Sequence, residues 1–154
     1  MLSHIDKNGN AKIVDISNKN ITERSAVASG KIKVSKEVLE QIKVSNNKKG
    51  DILTVAKIAG IMSAKNTSNL IPLCHPLKIN DIQIDFIINN SKKFISCNAS
   101  VKCSEKTGVE MEALTAVSIS LLTIYDMCKA ISKDMLIYDI KLEKKNGGKT
   151  NYSR

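Results

Sequence analysis

Four ionisable side chains, Glu110, Glu112, Asp126 and Lys129, fall within one apolar pattern of helical spacing, where burial would make charge costly. Asp126 and Lys129 stand three apart, so on a helix the carboxylate and the ammonium are neighbours that tune each other's proton affinity. Such a pair suits general acid–base chemistry. Its plain alternative is a solvated ion pair of little energetic weight. Glu110 completes a Thr107-x-x-Glu110 pattern and so fits a capping box at the helix start. Glu112 has no such duty. It precedes Asp126 by 14 positions, which is roughly 21 Å along a helix rising about 1.5 Å per residue. Either the ligand is long, such as a nucleoside triphosphate, or the two helix ends serve sites shared between subunits. The second option predicts a homo-oligomer.

Further candidates lie elsewhere in the chain. His75 sits beside Cys74 in a loop braced by Pro72 and Pro76, where two close prolines exclude regular helix and stiffen the backbone. One histidine and one cysteine make a poor zinc set, so a ligand-contacting or proton-handling histidine is the better functional reading. A histidine satisfied by a backbone carbonyl is the structural one. Lys49 precedes Gly50-Asp51 at a helix start, a place that favours phosphate. Lys145-x-Gly147-Gly148-Lys149 offers a second anion-friendly segment, because paired glycines let backbone amides turn toward a ligand. Arg24 is the one internal arginine in a lysine-built chain, which points to a planar, bidentate donor or to pairing with an internal carboxylate.

These residues need positioning elements. Ala26, Ala28, Gly30, Ile32 and Val34 alternate with polar residues from Arg24 on, the period of a half-buried strand. Ser35 can cap a short helix carrying Val38, Leu39 and Ile42, which the polar 45–50 stretch ends. Residues 51–65 carry a second helical pattern. Two alternating runs, 82–88 and 95–103, predict an antiparallel hairpin. The long helix follows, with Val109, Ala113, Val117, Leu121, Ile124, Cys128 and Ile131 on its core stripe, and Leu136 to Leu142 alternate once more. The resulting order predicts an α+β chain with a ferredoxin-like antiparallel sheet and helices packed on one face. A solvated second face is compatible with one-sided strands, and self-association could cover it.

Composition sets the limits. The 154 residues are 42% hydrophobic, enough for one core, and are read as a single catalytic domain, 1–154, with an extended N-terminal segment at 1–23 and a flexible basic tail at 144–154. The net charge of +9 comes almost wholly from lysine and implies anionic partners. Two Phe, three Tyr and no Trp leave little stacking surface for single-stranded nucleic acid, so a small phosphorylated ligand suits the charge and a nucleic-acid or membrane partner is not expected. A basic nucleotide- or RNA-binding module is the alternative class, and an interaction scaffold a third. The four cysteines form no CxxC pair and the N-terminus lacks an apolar leader core, so a reduced, cytoplasmic protein, or the mature core of an organellar one, is expected.

The blocks Lys49-Gly50-Asp51, Leu70-Ile71-Pro72-Leu73-Cys74-His75-Pro76-Leu77, Lys106-Thr107-Gly108-Val109-Glu110-Met111-Glu112-Ala113-Leu114-Thr115-Ala116 and Leu122-Thr123-Ile124-Tyr125-Asp126-Met127-Cys128-Lys129-Ala130 together resemble the MoaC family of cyclic pyranopterin monophosphate synthases, which act in molybdenum cofactor biosynthesis. The resemblance runs from about Val14 through Lys149. It implies a lyase that converts 3′,8-cyclised dihydro-GTP to cyclic pyranopterin monophosphate with loss of pyrophosphate. It also implies a trimer of dimers with active sites at the dimer interface. Carried over by position, Asp126 resembles the catalytic aspartate, and Lys49 and Lys129 the catalytic lysines. Leu73, Cys74, His75, Met111 and Glu112 match the substrate pocket, and Glu110, Arg24 and Lys145 match further functional positions. No cofactor or protein-held metal is implied; magnesium could accompany the triphosphate, but the sequence shows no oxygen cage for it. Two departures stand out: Lys57 where the family often has arginine, and Asn151 where glycine is usual.

Overall fold

The computed structural model describes residues 2–45 and 51–154, so Lys49 lies outside the described residues. Its elements are β1 (Thr22–Lys33), α1 (Lys36–Ser45), α2 (Ile52–Lys65), α3 (Thr67–Leu70), β2 (Ile79–Asn89), β3 (Phe94–Glu105), α4 (Glu110–Cys128), β4 (Leu136–Asn146) and β5 (Tyr152–Ser153). The strands form one antiparallel sheet in the order β2-β3-β1-β4-β5. Its first four strands have the ferredoxin-like arrangement expected from the element order.

Period-two patterning decides which face is covered. Ala26, Ala28 and Ile32 of β1 and Ile95, Cys97, Ala99, Val101 and Cys103 of β3 are buried, and the register places Ala28 opposite Ala99 at the middle of the central pair. Across this face of small and branched residues lies α4, which contacts β1, β3 and β4, while α2 packs on β2 and along α4. The opposite face carries Ser25, Ser29, Ser96, Asn98 and Ser100, polar residues that water can satisfy.

The α2–α4 contact is a seam of small residues. Ala56, Gly60 and Ser63 on α2 meet Ala116 and Ser120 on α4, and the Ser120 hydroxyl donates to the Ala56 carbonyl at 3.1 Å. A Cβ on Gly60 would stand 2.6 Å from Cδ1 of Ile84 and would overlap the Ser120 hydroxyl, so a bare backbone is required for this approach. Local signals hold α1 and α2 as expected. Ser35 Oγ accepts from the Val38 amide at 3.3 Å, and the Asp51 carboxylate caps α2 through the amides of Leu53 and Thr54.

Several boundaries differ from the sequence reading. The stripe ends at Cys128, because the chain turns there and Ile131 is exposed. The short α3 continues from α2 through Thr67, whose buried hydroxyl donates to the carbonyls of Ser63 and Ala64. No capping box forms at α4: the cap residue is Val109, without a side-chain capping bond, and Glu110 pairs instead with Lys145 at 3.3 Å. β4 runs on to Asn146, and the basic segment after it turns back through Gly147 and Gly148, both at positive φ, to pair as β5. Asn151 closes that turn, its Oδ1 accepting from the Gly147 amide at 3.1 Å. Lys57, the other departure, reaches Asp85 at 3.7 Å on the surface.

Candidate active site

Two cavities adjoin around the first turn of α4, with Lys19, Thr107, Gly108 and Glu110 lining both. The first, of about 320 Å³, is lined by Leu73, Cys74, His75 and Leu77 from the proline-braced loop, by Thr107, Gly108, Glu110, Met111 and Glu112, and by Ser3, His4, Val14, Ile16 and Lys19. Rigid backbone between Pro72 and Pro76 and the fixed start of a core helix set this wall. Glu112 is 4% exposed, on the inner side of α4. Burial, then the nearby charge of Glu110, holds its carboxyl above the usual range, partly offset by its own backbone amide. Cys74, half-buried beside it, is likewise pushed up, first by burial and then by the Glu112 charge. It is therefore a neutral wall group rather than a thiolate.

The second cavity, of about 450 Å³, shares Lys19, Thr107, Gly108 and Glu110 with the first and adds Arg24, Lys106, Lys145, Gly148 and Lys149. Lys19, Arg24, Lys106, Lys145 and Lys149 face a single carboxylate, Glu110, so the field there is set for a multiply charged anion. Arg24 is held by backbone, and among the described residues no acid pairs with it: Nε donates to the Glu105 carbonyl at 3.3 Å and a terminal nitrogen to that of Lys106 at 3.4 Å. Its charge therefore stays free for a ligand. A Cβ on Gly148 would overlap the guanidinium, so the glycine pair is what lets the turn close over Arg24.

Asp126 and Lys129 do not join this group. They form an ion pair of 2.6 Å at the far end of α4, with the Lys129 side chain 56% and that of Asp126 68% exposed. Around them lies a shallow cleft lined by Ile119, Leu122, Thr123 and Tyr125, where Leu122 is exposed. The bond to Asp126 raises the Lys129 pKa above its ordinary value, so on an isolated chain the ammonium keeps its proton at neutral pH. The single chain thus gathers Leu73, Cys74, His75, Met111, Glu112, Glu110, Arg24 and Lys145 and leaves Asp126 and Lys129 apart.

Sequence reasoning passed over His4 and Lys19, which line the cavities from an N-terminal segment read only as extended. Their signal was turn chemistry at Asp6-Lys7-Asn8-Gly9-Asn10 and Asp15-Ile16-Ser17, which folds the segment back on itself. Among the described residues no three His, Cys, Asp or Glu side chains gather as a metal site.

A cavity with a buried carboxylate beside one lined by cations, on a ferredoxin-like sheet, defines an α+β protein with pockets of small-molecule size. The sequence profile of the MoaC family matches residues 13–148. The cyclic pyranopterin monophosphate synthase of Clostridium perfringens (strain SM101) is 58% identical over 149 residues, 97% of this chain and 94% of that protein. The synthase of Campylobacter lari is 56% identical, over 97% of this chain and 95% of its own. The molybdenum cofactor biosynthesis protein moc-5 of Caenorhabditis elegans is 53% identical over 99% of this chain and 26% of its own length. The chain belongs to the MoaC family.

Proposed function

We propose that this chain is a cyclic pyranopterin monophosphate synthase of molybdenum cofactor biosynthesis, a lyase that converts 3′,8-cyclised dihydro-GTP to cyclic pyranopterin monophosphate and releases pyrophosphate. The names of its relatives support the reaction. This reading of the site is carried by the adjoining pair of cavities at one end of α4, one lined by Glu112 and His75 and the other by five cations.

In this reading His75 and Glu112 hold the purine-derived rings against Leu73, Cys74 and Met111. The Glu112 carboxyl offers acceptor oxygens to a ring edge, and burial, which raises its pKa, eases uptake of a proton there. Arg24 and Lys145 bind the phosphates, with Glu110 orienting Lys145. Forming the cyclic phosphate breaks the bond to the departing pyrophosphate, so negative charge grows where these cations stand. Rebuilding the ring requires proton transfers, assigned to Asp126 and Lys129, with Lys49 as the second catalytic lysine.

Because Asp126 lies roughly 21 Å from Glu112 at about 1.5 Å of helix rise per residue, a second copy must bring it. We propose a homo-oligomer, a hexamer built as a trimer of dimers, in which the exposed end of α4 of one protomer closes the cavities of its partner. Covering Lys129 would desolvate it and lower its proton affinity toward the working range. A cytoplasmic location is part of this proposal, and four unpaired cysteines support it.

The test is incubation of purified protein with the cyclised dihydro-GTP, following pyrophosphate and pterin together. Equal yields of both from wild type and neither from Asp126→Asn is the expected result. An intact oligomer that makes neither product would overturn the assignment.

A further inference from the structure

The N-terminal segment is built as a ligand-facing strap. Asp6 nucleates a turn, its carboxylate accepting from the amides of Asn8 and Asn10, each at 2.8 Å, and Gly9 takes the positive φ the turn needs. Ile5 then bridges Ala11, and the Lys12 amide donates to the His4 carbonyl at 2.9 Å, which fixes the backbone of His4. Further on, Asp15 accepts from the Ser17 amide at 2.8 Å, and Lys106 Nζ donates to the Ser17 carbonyl at 2.7 Å. That bond ties the strap to the cavity rim just before Lys19.

Little core holds this arrangement. Leu2, Ile5 and Ile13 are exposed, so the hairpin gains almost nothing from apolar burial within the chain. Turn chemistry and one lysine tether set its path instead, and that path puts His4 on the wall of the first cavity, which His75 and Glu112 also line, and Lys19 on the wall common to both cavities. His4 presents ring nitrogens that donate or accept, and Lys19 a point charge. The pairing of an aromatic polar group with the ring end and a cation with the phosphate end repeats, from the strap, what His75 and Arg24 do from the core.

We infer that the strap completes the substrate site, with His4 contacting the purine-derived rings and Lys19 the triphosphate next to them. This rests on the cavities being the substrate site, as proposed above. Both residues bind; neither handles the reacting protons, so their loss acts on KM and spares kcat.

The experiment compares His4→Ala, His4→Asn, Lys19→Ala and, as a strap control that lines neither cavity, Lys12→Ala, in steady-state turnover of the cyclised dihydro-GTP. Oligomeric state is followed by sedimentation and folding by thermal melting. KM should rise about tenfold in His4→Ala and Lys19→Ala with kcat within about twofold, the loss expected of one ligand contact. His4→Asn should recover part of the affinity, and Lys12→Ala should match wild type. In parallel, the proton spectrum of this two-histidine chain should show the His4 ring resonance moving on addition of substrate to Asp126→Asn. Unchanged KM in both alanine variants, an unmoved His4 resonance, or an effect that follows a change of oligomer would overturn the inference. A wild type without turnover would instead defeat the functional reading on which it rests.

Discussion

The side chains with most chemistry in them are set by surroundings that pull in opposite directions. Lys129 is exposed and its pKa is raised by the bond to Asp126, whereas Glu112 is buried and its pKa is raised by desolvation. If Lys129 moves protons, Lys129→Ala should lower kcat by about 10²–10⁴ while substrate binding, measured by equilibrium dialysis, is kept; near-normal turnover would remove the residue from the chemistry. For Glu112 the linkage has a definite sign. Its folded pKa exceeds the ordinary value of 4.5, so its stability contribution is complete below that value and is lost as pH rises through the folded pKa. Glu112→Gln should therefore melt higher than wild type at neutral pH without ligand, and with a flatter dependence on pH, while losing activity. A parallel pair of melting curves against pH would argue that the carboxyl is not desolvated.

Elements hold these groups through close backbone contacts and caps more than through bulk. The α2–α4 seam depends on Gly60, where an added methyl meets Ile84 and Ser120. Gly60→Ala should cost about 1–3 kcal/mol, as overpacking of a tight core does, and would be read in denaturant unfolding. Removing the α2 cap with Asp51→Ala should cost about 1 kcal/mol, since the amides of Leu53 and Thr54 lose their acceptor. Of the two, only the glycine change should disturb Ala116 and the packing of α4, and with it the site.

At the scale of the whole molecule the separation of the two ends of α4 is the governing fact. A site shared between protomers predicts complementation: mixing Glu112→Gln with Asp126→Asn under conditions that exchange subunits leaves, in each mixed dimer, one site with both native residues. Random pairing should then restore about one quarter of wild-type activity for a twofold-symmetric dimer. No recovery, with subunit exchange demonstrated, would place both residues in one chain's site and contradict the shared arrangement.

Much of the fold was legible because its signals are local and periodic. Alternation in β1 and β3, the stripe of α4, Ser35 and Asp51 at helix starts and the prolines around Cys74 and His75 each report on a few adjacent residues. The candidate site was legible in part, through the LCHP loop and the charged start of α4. Boundaries at Ile131, the return of the chain as β5 and the choice of Glu110 to pair with Lys145 rather than cap the helix were not, because each depends on a partner far along the chain. The same holds for His4 and Lys19. By itself, then, the sequence determined the elements, their order, the basic charge and which residue types were available for chemistry, since these follow from neighbours a few positions apart. Which of those residues share a cavity, and that Asp126 and Lys129 stand away from the rest, was decided only by tertiary structure, because long-range pairing of strands and the rigid length of a core helix set those distances.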